Sequence, residues 1–275
     1  MTAPSRPGPM KALGDLAFRV VDFIAYEFVY LVSPVRKNTF FNGGFMPLAD
    51  DMVAVPELAG EETNVMAYHL VAATALAGTG LAPRRILDVG CGMGGGMLYM
   101  ARLFPGAEVV GVDRSAAALR RGRKLLEGEP GMQLIRSAGP GLNFAPDSFD
   151  LVVGVESPTV YGAERFLTDA MKVTRPGGII SIKSGYGEGD HAEIKARLAR
   201  VAGEVGLEML LYEDVTPGCI DALNADIPRR EEMLKRVPWP FSIYGRRWAD
   251  MPGTKQYEEY TSGKRADYIA AFRKP

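Results

Sequence analysis

The sequence predicts an α/β fold built on a doubly wound, mostly parallel sheet, and three observations carry that reading. From about Ala82 onward, short apolar runs alternate with helical stretches, the order that parallel strands and crossover helices produce. Runs such as Leu151 to Val155 are apolar at nearly every position, as in a sheet covered on both faces. A glycine-rich turn from Gly90 to Gly96 separates the first apolar run from a helical stretch, and doubly wound folds bind ligands at such a carboxyl end of a strand.

The elements follow in order. The proline-rich opening through Pro9 reads as disordered, with order expected from Lys11. Leu16 to Val32 is very apolar, but Arg19, Asp22 and Glu27 interrupt it, so it predicts a lid or core helix rather than a span of ~20 apolar residues. Between Ser33 and Leu58 periodicity is poor and Phe40, Phe41 and Phe45 cluster, which predicts a loop-rich cap. From Glu61 the pattern turns helical. RRILDV, EVVGVD, MQLIR, FDLVVGV and GGIISIK then read as strands, separated by the helical GGGMLYMARLF, SAAALRRGRKLLEG and ERFLTDAMKVT, with HAEIKARLARVAGEVG after the last. Beyond EMLLYEDV come a long polar helix, the aromatic and proline segment PWPFSIYGRRW, and a last strand, DYIAAFRK. The expected organisation is a lid over residues 1–60 and a catalytic domain over 61–275, with 216–262 contributing to the lid.

Composition narrows the function. The 32 basic and 33 acidic residues are mixed along the chain and leave a formal charge of −1, so no broad basic surface is expected for nucleic acid. Only two cysteines, Cys91 and Cys219, stand far apart without metal-ligand spacing, which fits a reducing compartment. No export signal is visible, so a cytoplasmic protein without stable membrane insertion is expected. With no cluster of Cys and His, no catalytic metal is expected. Oligomeric state stays open, a homodimer included.

The turn is the candidate cofactor site. Gly90, Gly92 and Gly95 satisfy the dinucleotide pattern G-x-G-x-x-G, which alone is a weak signal. Asp88, two residues before the first glycine, would face the phosphates of a dinucleotide, but its charge suits the ammonium of S-adenosylmethionine. Asp113, ending the second strand about twenty residues on, is placed to accept ribose hydroxyls and serves either cofactor. Arg114 beside it reads as a ribose-phosphate contact or as a solvated strand end.

The motifs ILDVGCGMGGG, VVGVD, FDLVVGVES and RPGG, in this order across Ala82 to Lys183, resemble those of class I S-adenosylmethionine-dependent methyltransferases. The resemblance implies a seven-stranded Rossmann-like sheet with a mainly helical N-terminal lid and an insertion before the last strand. It places Asp88, Gly90, Gly92 and Gly94 at the methionine end, Asp113 at the ribose and Arg114 at the adenine, with Cys91 a further cofactor-binding candidate in the turn. Where many members carry an aspartate after the third strand, this chain has Ala138 and Gly139, whose backbone groups would replace it.

FFNGGF, AYHLVAATA, the triple glycine, VESPTVYGAERFL and YEEYTSGKRADYIAAFRK further resemble actinobacterial O-methyltransferases of lipids and polyketides, the phthiotriol type especially. That implies a hydrophobic small-molecule acceptor beneath the lid, and Phe40, Phe41, Phe45, Trp239, Phe241, Tyr244, Tyr257 and Tyr260 would suit its pocket, although core packing accounts for part of them. Relatives often carry a histidine after the fourth strand, whereas this chain reads Glu156, Ser157, Pro158, Thr159, Val160, Tyr161. His69 is therefore the first candidate base, ahead of His191, while Glu156 is a candidate base or cofactor contact and Tyr161 an orienting group. Carbon or nitrogen methylation, a cofactor-binding cyclase-like protein and a nicotinamide-dependent oxidoreductase are the competing readings.

Overall fold

The computed structural model describes Glu27 and residues 39–137, 141–185, 190–239 and 241–275. Its centre is a seven-stranded sheet: β1 (Arg85–Val89), β2 (Glu108–Asp113), β3 (Met132–Arg136), β4 (Phe149–Val155), β5 (Thr174–Gly185), β6 (Glu208–Asp214) and β7 (Asp267–Arg273). The strands lie in the order β3-β2-β1-β4-β5-β7-β6. All pairings are parallel except those of β7, which runs antiparallel between β5 and β6. The doubly wound expectation is met, and the chain order reverses between β1 and β4, the switch point where this class of fold binds its ligand.

Helices cover both faces: α1 (Glu62–Ala72), α2 (Gly95–Leu103), α3 (Ala116–Leu125), α4 (Ser157–Tyr161), α5 (Ala163–Val173) and α6 (His191–Glu204), then α7 (Thr216–Leu234), α8 (Phe241–Trp248) and α9 (Lys255–Thr261) between β6 and β7. Period-2 alternation divides the strands between two cores. Ile86, Leu151, Val153 and Ile179 pack with α1 and α2, while Leu87, Val152, Ile180 and Phe272 pack with α5 and α6. Ser115 and Asp190 cap α3 and α6, accepting from the N–H groups of Ala118 and Ala192.

Of the expected N-terminal lid, Glu27 is helical and residues 39–58 form a loop closed by a short 3₁₀ turn at Pro56–Leu58; the rest of Leu16 to Val32 lies outside the described residues. No helix among the described residues is long and apolar enough to cross a membrane.

Candidate active site

At the end of β1 the chain turns through Gly90, Gly92 and Gly94 with φ of +83°, +54° and +83°, a left-handed region that glycine enters without a steric penalty. A Cβ at Gly90 would stand 2.4 Å from that of Ser157, so the glycine also lets β4's exit pack against the turn. Ser157 Oγ donates to the Val89 carbonyl at that contact. Gly94 precedes α2, whose first internal bond runs from Leu98 N–H to Gly94, leaving the N–H groups of Gly95, Gly96 and Met97 ahead of the ladder. Cys91 turns its side chain inward, where a Cβ at Gly111 would meet Sγ at 2.7 Å, so only its backbone belongs to the turn.

Asp88 lies fully buried at the switch point. Tyr68 donates to its Oδ2 at 3.2 Å, and Oδ1 has no hydrogen-bond partner. Burial pushes its carboxyl up to about 7, against the pull of the Tyr68 hydrogen bond, and the nearby Asp113 charge adds to the rise. An unpaired acceptor in a dry site is costly unless a donor or cation fills the gap. The turn thus fits a cationic cofactor end, and it is ill suited to the pyrophosphate that the dinucleotide alternative requires.

Asp113 ends β2 with Oδ2 accepting from Gly92 N–H at 2.9 Å and Oδ1 from Ser115 N–H at 2.7 Å. These bonds orient the carboxylate and leave further lone pairs for a ligand. Burial raises its pKa despite both bonds. Arg114 is exposed, and its carbonyl accepts from Arg136 Nε. Ala138 and Gly139 lie outside the described residues.

Beside this pole stands a second group of charges that the sequence reading did not assemble. Lys183, fully buried on β5, donates to Glu156 Oε1 at 2.5 Å. Asp267, at the start of β7 and in register with Gly185, is fully buried; neither carboxylate oxygen has a partner in full hydrogen-bond geometry, and the Tyr260 hydroxyl is the side-chain donor that acts on it. Alternation puts Asp88, Ser181, Lys183 and Asp267 on the same sheet face as α1, and Ser181 Oγ is likewise buried without a partner. Arg265 stacks on the Tyr260 ring at 3.8 Å and reaches Asp250 at 3.5 Å.

The two carboxylates differ. Burial raises Glu156, but the Lys183 ammonium and its hydrogen bond more than offset that and hold it below the usual range. For Asp267 burial prevails over Lys183, and its pKa is raised. Burial works against the Lys183 charge, yet Cys219, Glu156 and Asp267 outweigh it; the carboxylates supply the charge at neutral pH, because the Cys219 thiol is itself pushed up to about 12 by burial. The signal in the sequence was a lysine inside the apolar run GGIISIKSG.

Residues 39–47 run as a strap across both poles. A Cβ at Gly95 would meet Phe40 and Thr39 within 2.8 Å, one at Gly43 would stand 3.6 Å from Glu156 Oε1, and one at Gly218 would strike Phe45 and Met46. Thr39 donates to Glu61 through its N–H and hydroxyl, Asn42 and Asn64 bond each other's side chain and backbone, and Met46 N–H donates to Gly218. FFNGGF thus crosses above the strand ends.

The remaining candidates are held elsewhere. His69 is buried with Nδ1 2.6 Å from the Tyr99 hydroxyl and Nε2 3.1 Å from Asp51 Oδ1, so both ring nitrogens are engaged. His191 contacts Tyr212 at 2.8 Å and Asp214 at 3.0 Å. Tyr161 donates to Asp169 at 2.6 Å and accepts from Gly141 N–H. Of the aromatic residues expected in a pocket, Phe40 and Tyr260 are buried, whereas Trp239 is 79 % exposed and Phe41 46 %. Among the described residues no group of three or more His, Cys, Asp or Glu side chains is placed to hold a metal ion.

Residues 86–178 match the family described as "Methyltransferase domain". The chain is 28 % identical over 283 residues to the fatty-acid O-methyltransferase of Mycolicibacterium smegmatis, covering 96 % of this chain and 99 % of that one. It is also 28 % identical over 228 residues to the phthiotriol/phenolphthiotriol dimycocerosates methyltransferase of Mycobacterium leprae, covering 80 % and 79 %. Among solved structures, the [4+2]-cyclase SpnF matches with a TM-score of 0.64 at 18 % identity, covering 91 % and 93 %. The geranyl diphosphate C-methyltransferase of Streptomyces coelicolor, solved with S-adenosyl-L-homocysteine, matches with a TM-score of 0.58 at 19 % identity, covering 90 % and 96 %. These structural likenesses establish the fold, which hosts different chemistries.

Proposed function

We propose that this chain, which carries a methyltransferase domain and takes S-adenosylmethionine as its cofactor, methylates an oxygen of a hydrophobic, lipid-like small molecule. The observation that carries the reading is the Glu156–Lys183–Asp267 group beside the switch point, in which Lys183 and Asp267 are fully buried on the sheet face of Asp88 and Glu156 is partly buried just past β4. The near full-length likeness to a fatty-acid O-methyltransferase supports oxygen as the methylated atom.

In this reading Asp88 faces the cofactor's ammonium with its unpaired Oδ1, the glycine turn admits the ligand to the backbone, and Asp113 accepts the ribose hydroxyls. When bound, S-adenosylmethionine supplies an electrophilic methyl group, so the protein's task is alignment, exclusion of water and disposal of a proton. The strap and α9, with Tyr260 beneath it, roof the acceptor's place. Lys183 fixes Glu156 as an anion that orients the acceptor's polar end. Asp267, whose burial raises its proton affinity against the pull of Lys183 and the neighbouring Tyr260 hydroxyl, takes the hydroxyl proton of an alcohol acceptor; a carboxylate acceptor needs no such transfer. Two carboxylates with pKa values pushed apart divide positioning from proton transfer.

The test is formation of S-adenosylhomocysteine with long-chain fatty acids and hydroxylated lipids, comparing the wild type with Glu156→Gln and Asp267→Asn. With an alcohol acceptor, Asp267→Asn is expected to lower kcat by about 100-fold while cofactor affinity stays within about twofold. Full turnover in both variants would remove this group from the mechanism.

A further inference from the structure

The large hydrophobic side chains exposed among the described residues belong to the strap and to segments that leave the sheet at the site's end. Phe41 and Leu48 are in or next to the strap, Val160 is in α4, which follows β4 directly, and Trp239 and Ile243 are in the insertion between β6 and β7. Because β7 runs antiparallel to both of its neighbours, the end of β6 and the start of β7 lie at the carboxyl end of the parallel strands. The insertion therefore leaves and rejoins the sheet beside the site. Within it Trp239 is 79 % exposed and Ile243 61 %.

Charge gathers in the same stretch. Lys235 to Trp248 contains Lys235, Arg236, Arg246 and Arg247 and no acidic residue, in a chain whose formal charge is −1. All four basic residues are exposed. Glu232, on the preceding turn of α7, lies 3.0 Å from Lys235 and 3.8 Å from Arg236, exposed pairs of the kind that solvent and salt weaken. Arg246 reaches the Pro252 carbonyl at 3.4 Å. The pair α7–α8 is braced, since a Cβ at Gly245 would meet Leu234 at 2.8 Å and Arg230 donates to the Ala249 carbonyl at 2.8 Å. An exposed indole and an aliphatic side chain among basic residues, presented by α8 and the residues that join it to α7, match the interfacial layer of a membrane, where the indole sits at headgroup depth and anionic lipids complement the charge.

We propose that this face docks the protein reversibly on an anionic lipid bilayer, with Trp239 and Ile243 entering the headgroup layer and Lys235, Arg236 and Arg246 meeting lipid phosphates. Docking brings the site's end of the molecule to the membrane, the phase in which a lipid-like acceptor resides.

The full chain is mixed with vesicles of phosphatidylcholine alone, and with vesicles containing an equal share of phosphatidylglycerol. Cosedimentation reads the bound fraction, and tryptophan emission reads the environment; both tryptophans, Trp239 and Trp248, lie in this stretch, so the signal is local. Expected are binding to the mixed vesicles with blue-shifted emission, and affinity lower by about tenfold or more for neutral vesicles and for the Trp239→Ala/Ile243→Ser and Lys235→Glu/Arg246→Glu variants, with unchanged melting temperatures. Failure to bind anionic vesicles, or equal binding by folded variants, overturns the proposal. Self-association that Trp239→Ala abolishes also overturns it and assigns the face to a second copy of the chain.

Discussion

Replacing Asp88 with asparagine separates stability from cofactor binding in a way that can be worked from its burial. The carboxyl is pushed up to about 7 from an ordinary 3.8, chiefly by burial. The unfolded chain therefore ionises this group near pH 4, while the folded, ligand-free protein does so only near pH 7. Stability from the folded, protonated form is complete below the lower value and is lost as pH rises through the upper one. At ~1.36 kcal/mol per unit, the stability lost relative to the low-pH limit amounts to ~2 kcal/mol at pH 5, where the folded group stays protonated while the unfolded one ionises, and to at most ~4 kcal/mol at pH 8, where both are ionised. Asp88→Asn removes that burden, so its stability relative to wild type should improve by up to ~3 kcal/mol between pH 5 and pH 8. Binding moves the other way. Loss of the anion should weaken S-adenosylmethionine by about tenfold or more at neutral pH, and the rise in wild-type affinity toward about pH 7, up to tenfold per unit, should flatten. Melts and calorimetric titrations from about pH 5 to pH 7.5, short of the ligand's own amino titration, measure both. Wild-type affinity and pH dependence in the variant would refute the assignment of Asp88 to the cofactor's cationic end.

Three further outcomes are expected. Asp113→Ala should cut S-adenosylmethionine affinity by about tenfold or more in calorimetry, and unaltered affinity would show that the ribose is held elsewhere. Lys183→Met leaves the partly buried Glu156 and the buried Asp267 with Arg265 as their remaining nearby cation and should cost ~3–5 kcal/mol in denaturant unfolding; a change below ~1 kcal/mol would mean the carboxylates are not charged around Lys183. His69→Asn should lower the melting temperature by breaking its contacts with Tyr99 and Asp51 while turnover per folded molecule persists, and a collapse of kcat in a stable variant would restore His69 as the base.

What was legible in the sequence was whatever local periodicity and turn chemistry encode. The apolar runs became strands because both faces of the sheet are covered, and Gly90, Gly92 and Gly94 shape the turn because their positive φ angles favour glycine, while Gly95 and Gly96 already begin α2. Asp88 and Asp113 sit at strand ends, positions that a strand reading locates directly. Glu156 and Tyr260 were legible singly, but their grouping with Lys183 and Asp267 was not, because the four come from the end of β4, α9, β5 and β7, and only the sheet order brings them together. Histidine scarcity drew attention to His69, but whether an imidazole is free depends on tertiary partners, here a tyrosine and an aspartate. Trp239 misled for a related reason: an aromatic residue in a proline-rich insertion reads the same whether it lines a pocket or faces solvent, and here it faces solvent.

The most direct measurement supplies S-adenosylmethionine with an isotopically labelled methyl group alongside fatty-acid and hydroxylated-lipid acceptors, and locates the label by mass spectrometry. The expected result is label on an acceptor oxygen, matched one for one by S-adenosylhomocysteine and reduced by Asp88→Asn. Label on carbon or nitrogen, or a tightly bound cofactor with no transfer to any of these acceptors, would contradict the account.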